Sequence, residues 1–406
     1  MENFCDVLIV GGGLVGSSLA CALEGAGLRV TLAEATPPLP AAAPSFDERN
    51  LALARASINA LQALGVWRHI ATPPAPIRHI HVSSRGDFGS VQLDAPARGL
   101  DAFGAVVVAR ELGAALEARL AELPDLQRLR PARVTALEQH DDHVEARLET
   151  ESGPRTLRAR LLVAADGTGS TLRDALGIGT DVHDYEQTLF VSVLSAAKAP
   201  PDTAYERFTE QGPVALLPLG GGRLGSVCTV PSSMAEQVRA LDDAGYLELM
   251  QQRFGWRAGR FLRAGKRSGY ALKKVVAQRL TAARAVLVGN AAQTLHPIGA
   301  QGFNLGLRDA LTLAELVRQA HAGGQDIGAD ALLQAHVQRR IPDRDATLAM
   351  SDGLARIFGN GFGPLRLLRS AAMVAMDRMP GLTDGLVTDA MGFGGDVSEL
   401  ARERSA

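Results

Sequence analysis

Cysteine is scarce. Three residues, Cys5, Cys21 and Cys228, stand far apart in a chain of 406 and form no CxxC pair. That spacing argues against a disulfide framework and a cysteine-built metal site, and it fits a reducing compartment such as the cytoplasm. Charge of one sign is lacking too: 42 Lys and Arg face 44 Asp and Glu, for a net charge of -2. Such a balance leaves no basic footprint for nucleic acid. No run of about 18 uninterrupted apolar residues occurs, so no transmembrane helix is expected and any membrane contact is expected to be peripheral. The opening residues do not read as a signal peptide, because acidic Glu2 and Asp6 precede the apolar run and glycines follow it too early. What is present, 46% hydrophobic and 21% charged residues, is the composition of a globular enzyme. Its length suits two modest domains or one large one.

Glycine is concentrated near the start. In "DVLIVGGGLVGSSLACALEGAGLRVTLAEA" (6–35) an apolar strand over Val7–Val10 runs into Gly11, Gly13 and Gly16 at GxGxxG spacing. A helix of small residues from about Val15 to Ala26 follows, then a strand over Leu28–Ala33 closed by Glu34. Gly11 allows the turn, Gly13 lets the backbone approach a pyrophosphate, and Gly16 permits tight helix–strand packing. The helix start at Leu14 and Val15 offers free N–H groups and a positive dipole end to phosphate. Glu34, about 20 residues on, can accept both ribose hydroxyls of an adenosine. This motif serves NAD and FAD alike.

Two further apolar strands end in turns. "ARLLVAADGTGSTLRDALG" (159–177) breaks at Asp166-Gly167 and restarts as a helix at Ser170 or Thr171. "ARAVLVGNAAQTLHPIGAQGFNLG" (283–306) breaks at Gly289-Asn290, and an amphipathic helix is expected over Leu305–Val317. Together the three turns resemble the group A flavoprotein monooxygenases, the aromatic-ring hydroxylases related to para-hydroxybenzoate hydroxylase. That family carries an N-terminal GxGxxG, a central DG, and a late GD followed by HP…GQG-x-N-x-G. "FDERNLALARASINALQALGVW" (46–67), "YERFTEQGPVALLPL" (205–219), "FGWRAGRFLRAGKRSGYAL" (254–272) and "GNAAQTLHPIGAQGFNLGLRDALTLAE" (289–315) resemble more closely its ubiquinone-biosynthesis branch, the 2-polyprenyl-6-methoxyphenol hydroxylases.

The resemblance implies FAD as cofactor, O2 and a polyprenyl phenol as substrates, and other quinone-biosynthesis proteins as partners. It implies NAD(P)H as a transient reductant or a separate reductase, since no second dinucleotide motif is present. In the family the stretch from Gly289 wraps the flavin, and the next residue, usually Asp, binds the ribityl chain. Here that residue is Asn290, which keeps hydrogen bonding but carries no charge. Pro297 suits a wall beside the flavin ring, because it fixes φ and lacks a donor. Gly299 and Gly302 permit close backbone approach. The N–H groups of Gln301, Gly302, Phe303 and Asn304 head a helix and suit the negative charge of a reduced flavin. By position, Arg49 matches a basic residue near the flavin phosphates, Arg110 an R-x-L helix start facing the pyrophosphate, and Val134 a residue near the adenine. Asp166 belongs to the DG motif.

The fold class expected is α/β: a Rossmann-like FAD-binding domain made of residues 1–73, 100–180 and 280–325. Residues 74–99 and 181–279 are expected to form a substrate-binding sheet domain, and 326–406 a helical C-terminal region. "TPPLPAAAP" (36–44) reads as a flexible loop, and no internal repeat is visible. "PLRLLRSAAMVAMDRM" (364–379) is apolar over a wide face with Arg366, Arg369 and Arg378 interspersed. It reads as a docking helix against the flavin domain or as a membrane-surface or partner helix.

The implied chemistry belongs to the cofactor: reduced flavin and oxygen give a flavin hydroperoxide, and an electron-rich phenol attacks its distal oxygen. The protein must exclude water and hold the ring carbon close. Leu216 and Pro218 of "LLPL" are expected to line the substrate pocket, facing Pro297. His296 is a candidate base, although the family keeps histidine there mainly for structure. His79 and His81 share a strand face, but two histidines alone make a poor metal site, and no metal is expected. Three alternatives stay open: a sibling hydroxylase acting at another ring position, a hydroxylase of a soluble phenol, and a flavin-bearing scaffold. A halogenase is disfavoured because Trp67 and Trp256 form no W-x-W-x-I motif. The intact HP-I-GAQG-F-N turn argues against a pure scaffold.

Overall fold

The computed structural model describes residues 3–37 and 49–402; most of the expected 36–44 loop lies outside them. The Phe4–Val10 strand is buried at every position but the first, so it needs cover on both faces. It runs parallel to Val30–Ala33 on one side and to Gly153–Ala164 on the other. Leu126–Leu129 and Ala285–Leu287 extend the same parallel sheet outward. Three strands therefore end together, at Val10, Ala164 and Leu287, and each is followed by one of the three turns. Ligands of such sheets bind beyond these carboxyl ends.

Helices Leu14–Ala22, Ala109–Ala121 and Gln301–Ala322 cover one face, with Leu19, Leu112, Leu116, Leu311 and Val317 in a shared core. The first helix stops at Ala22, short of the expected Ala26, because Gly25 and Gly27 take left-handed backbone angles, φ 67° and 72°. An antiparallel arm, Ala132–Gln139 and Val144–Thr150, branches from the long Gly153–Ala164 strand and helps cover the opposite face.

A second sheet has nine strands among the described residues. Its spine is Thr180–Ala196, flanked by Ser268–Ala277 and Arg223–Pro231. Val214–Leu219, Thr203–Phe208, His79–Ser84 and Ser90–Asp94 continue it. Gln293–Thr294 bonds to Ser268–Ala277, so the late turn is tied to this sheet's edge. One sheet face packs Phe190, Tyr205, Leu216 and Cys228 against Tyr246 and Phe254 of the Asp243–Phe254 helix. The other face meets a three-stranded ribbon of Asn50–Ala54, Gly104–Val108 and Ala75–Ile77. Ala75–Ile77, expected in the larger sheet, thus belongs to this ribbon.

The C-terminal region contributes helices Asp330–Gly359, Gly363–Arg378 and Asp384–Ala390. The first is fastened by buried charge. Arg340, 1% exposed, donates from Nε to Asp309 Oδ1 at 2.8 Å and also reaches Asp343. Asp343 accepts from Arg308 Nε at 2.7 Å, and Asp309 Oδ2 accepts from Gln293 Nε2 at 2.6 Å. Breaking such a cluster on one side leaves a charge buried without a partner, at a cost of about 3–5 kcal/mol.

Beside it, burial pushes the His336 imidazole down to about 4 from 6.5. The unfolded chain then binds a proton that the folded chain refuses between those values, so stability is full above pH 6.5 and falls on acidification toward 4. The loss due to this histidine is on the order of 3 kcal/mol. Denaturant unfolding at stepped pH should show His336→Gln with a shallower acid slope than the parent; equal slopes would refute this origin.

Candidate active site

At the first turn, the glycines divide their work. Gly11 has φ 107°, and a Cβ there would lie 2.3 Å from the Ala165 carbonyl oxygen; a Cβ on Gly16 would lie 2.0 Å from the Gly11 carbonyl oxygen. Both positions are filled by neighbouring backbone. Gly13 instead has no described atom within 4 Å of its Cβ direction, and it heads the Leu14–Ala22 helix without a side-chain cap. That leaves an open helix N-terminus, which suits a pyrophosphate. Glu34 accepts from the Gly12 and Thr36 N–H groups, each at 2.6 Å. The Ala132 N–H donates to the Glu34 carbonyl at 2.7 Å, which brings Val134 toward the same end of the site.

Arg49 and Arg110 come together. The Arg49 carbonyl accepts from Ala109 N–H at 2.8 Å at the head of the Ala109–Ala121 helix, where Arg110 is the exposed second residue. The Arg49 guanidinium also lies 6.0 Å from the Tyr270 ring centre on the nine-stranded sheet. Asp166 adjoins Gly11, and its carboxylate organises the turn beyond it, accepting from Ser170 Oγ at 2.5 Å and from Leu172 N–H at 3.3 Å. Ser170 caps the Thr171–Ala175 helix.

The third turn approaches the first through glycine. A Cβ on Gly289 would lie 3.0 Å from Val15 Cγ2, and one on Gly306 would lie 2.9 Å from the Gly289 Cα. Asn290 is exposed beside this contact. Past Pro297, Gly299 and Ala300 take left-handed angles, φ 72° and 52°, and the Gln301–Ala322 helix begins. The left-handed angle strains alanine by on the order of 1–3 kcal/mol. Asn304 holds it in place: its Nδ2 donates to the Ala300 and Ala52 carbonyls, and its Oδ1 accepts from Ala54 N–H and Ser57 Oγ. Gly302 is open around its Cβ direction, Gln301 is buried and Phe303 half-buried. The open Gly13, the uncapped helix starts and the exposed Asn290 fit a dinucleotide lying across the three turns.

His296 is buried, with Nε2 3.4 Å from Gln187 Oε1 and Nδ1 accepting Ile298 N–H at 3.4 Å. Burial pushes its pKa down to about 4, which makes it a weak base. Its ring meets Tyr185 edge-on at 4.7 Å, Tyr185 donates to Asp352 Oδ1 at 2.6 Å, and Lys274 pairs with Asp352. The imidazole is therefore packed as a wedge between the late turn and the second sheet.

The expected substrate residues need correction. Leu216 is fully buried against Tyr246 and Phe254, and Pro218 shares its side of the strand. Side chains alternate along a strand, so Ala215, Leu217 and Leu219 lie on the opposite side, the side of the ribbon. Leu217 and Leu219 pack with Ala52 and Val106 of the ribbon. His79 and His81 also lie on the far side: His79 faces Asp94 at 3.3 Å, and His81 meets the Tyr205 ring at 5.7 Å. Among the described residues, no three His, Cys, Asp or Glu side chains gather as a metal site.

One residue absent from the sequence reading is Arg173. It is buried, and its Nη1 donates to the Thr168 and Ala291 carbonyls, both at 3.2 Å, which clamps the second turn to the third. The sequence marks it only as a basic residue in the helix after the DG turn.

Comparisons with known proteins agree with this geometry. The family model described as "FAD binding domain" matches residues 4–348. Ubiquinone hydroxylase UbiL of Rhodospirillum rubrum is 37% identical over 96% of this chain and 90% of its own. Ubiquinone hydroxylase UbiM of Neisseria meningitidis is 33% identical over 94% and 83%, and the 3-demethoxyubiquinol 3-hydroxylase of Escherichia coli 30% over 92% and 95%. The crystal structure of p-nitrophenol 4-monooxygenase PnpA from Pseudomonas putida superposes with a TM-score of 0.79 at 20% identity, covering 97% of this chain and 99% of that one. With the three turns converging as that fold requires, the chain belongs to the FAD-binding-domain family and, within it, to the FAD-dependent hydroxylases of ubiquinone biosynthesis.

Proposed function

We propose that this enzyme hydroxylates the ring of a polyprenylated methoxyphenol, with NAD(P)H as the transient electron source. The observation that carries the reading is the apolar sheet face on the side where Gln187 meets His296 of the third turn: Val191, Ala215 and Val227 stand level on neighbouring strands there. A face of that kind suits an aromatic ring with an isoprenoid tail better than a soluble, polar phenol. FAD, when bound and reduced, supplies the activation of oxygen. Gly13 and the helix start behind it would take the pyrophosphate, Glu34 the ribose, and Asn290 the ribityl chain. Arg49 and Arg110 would meet the phosphates from the opposite side, Val134 would flank the adenine, and Asp166 would hold the second turn. Pro297 and the N–H groups from Gln301 to Asn304 would border the ring. His296 would keep that border in place and hold no reacting proton. Leu217 and Val227 would keep water from the reacting carbon.

The substrate is tested in cells lacking this protein, grown with oxygen, by mass spectrometry of extracted quinones. Accumulation of a polyprenyl-methoxyphenol with loss of ubiquinone is expected. A different accumulated ring would move the reaction to another ring position, and unchanged ubiquinone would remove the assignment.

Cofactor placement is tested by two glycine variants. Gly13 has φ −70° and an open surround, so Gly13→Ala should fold normally yet bind FAD at least tenfold more weakly in a flavin titration. Gly16→Ala has no room and should fail to fold or lose several kcal/mol of stability. Normal FAD affinity in Gly13→Ala would put the pyrophosphate elsewhere.

The Gly363–Arg378 helix supports contact with an anionic membrane surface. No described helix is long and apolar enough to cross a membrane. Phe362, Leu367 and Leu368 are 65%, 63% and 66% exposed, while Arg366 and Arg369 turn inward to Asp87. Exposed Arg378 ends the same helix and complements lipid phosphates. Paired Leu367→Asp and Leu368→Asp changes should reduce sedimentation with phosphatidylglycerol vesicles about tenfold and leave turnover of a short-tailed phenol intact. Undiminished sedimentation would refute the contact.

A further inference from the structure

On the sheet face that looks toward the turns, one side chain is out of keeping with its neighbours. Glu206, on Thr203–Phe208, stands level with Val82 on one side and with Ala215, Val227 and Val191 on the other. This row lies between two anchored places. At one, His296 reaches Gln187 on the Thr180–Ala196 strand, 3.4 Å away. At the other, Asn50 fills the space where Gly225 lacks a Cβ, its Nδ2 being 2.2 Å from that position. Along its own strand, Glu206 sits between Ala204, packed under the ribbon, and Phe208, whose ring stacks on Phe358 at 3.8 Å. Among the described residues no hydrogen bond or ion pair reaches its carboxyl.

An acid in an apolar row with no protein partner leaves its carboxyl free to complete itself on a ligand. We propose that Glu206 accepts the hydrogen bond of the substrate's phenolic hydroxyl and takes its proton as the ring is oxygenated. The inference rests on the hydroxylase reading and adds to it the group that activates the ring. The phenolic O–H bond breaks and its electron pair stays on the oxygen, which feeds the ring and makes the attacked carbon more nucleophilic. The proton forms an O–H bond on the Glu206 carboxylate; as the oxygenated carbon loses its hydrogen as a proton and aromaticity is restored, Glu206 returns its proton to the phenolic oxygen, and the ring proton leaves with the second oxygen atom as water. No electrons change hands in this transfer; the oxidising equivalents are those of the hydroxylation itself.

The environment suits the task. Glu206 is half-buried, and the burial of its carboxyl pushes its pKa up to about 7. No charged group of the flanking strands or of the helix over Phe208 contributes to the shift. A general base near the working pH combines the right protonation state with adequate proton affinity.

The test uses the FAD-loaded full chain, NADPH, and a methoxyphenol carrying one prenyl unit. The parent should show an acid limb in kcat/KM near pH 7. Glu206→Gln should lose that limb and about 10²–10³ in kcat with KM little changed, and Glu206→Asp should keep the limb at reduced rate. A second readout needs no turnover. The folded pKa is raised from 4.5, so the parent should lose thermal stability as pH rises from 4.5 through about 7, and Glu206→Gln should not. An acid limb and rate retained in Glu206→Gln would overturn the proposal and leave the hydroxylase reading standing. Failure of the parent to oxygenate the phenol, with the stability difference intact, would overturn both.

Discussion

Backbone packed directly on backbone is the constraint on which the rest of this structure depends. The Gly11 turn lies against Ala165, the first helix lies against Gly11 through Gly16, and the Gln301–Ala322 helix lies against Gly289 through Gly306. Each contact tolerates no Cβ, so the ends of three strands from distant parts of the chain are drawn into one small region. Two helix N-termini without side-chain caps, those of Leu14–Ala22 and Gln301–Ala322, are thereby brought close, and one elongated anion can satisfy them together. Arg173 closes the arrangement by bonding carbonyls of the second and third turns.

Support for the late turn comes from buried polar groups. Ala300 keeps a left-handed conformation that alanine seldom adopts. Asn304 spends all its hydrogen-bonding capacity on fixing that turn to the Asn50–Ala54 strand. Gln293 leads from the same turn to Asp309, and Asp309 to Arg340 of the Asp330–Gly359 helix. The C-terminal helices therefore act as a buttress. Their buried charges favour one arrangement of the turn, because any other would leave a charge without its partner.

What the sequence disclosed was local. GxGxxG between two apolar strands, the DG break and the Gly-Asn break each lie within one short segment, and the physics of the turn is written in that segment. The Ser170 cap was legible for the same reason. The side of the Val214–Leu219 strand was not, because apolar residues occupy both of its faces and alternation gives no phase. A helix packed on one side and the turns on the other decide that phase, and both come from elsewhere in the chain. Arg173 and Glu206 were hidden for a related reason. A clamp needs its two carbonyls and an isolated acid needs its apolar neighbours, and pairing between remote strands supplies both.

Two titratable groups on this side of the nine-stranded sheet shift in opposite directions. His296 is pushed down to about 4 and Glu206 up to about 7, with burial the leading cause in each. Opposite shifts from one cause mean that the space disfavours charge of either sign. A dry space of this kind protects a reactive oxygen species from water, and it would also leave a bound phenol protonated and poorly activated. A single acid inside the apolar row resolves that conflict, because it can exchange a proton with the ligand directly. His296 cannot do the same. Its Nδ1 is occupied by Ile298, its Nε2 faces Gln187, and its proton affinity is too low at neutral pH. The division of labour between a structural histidine and a poised carboxyl follows from where the chain places each one, the first wedged in the late turn and the second on the sheet strand.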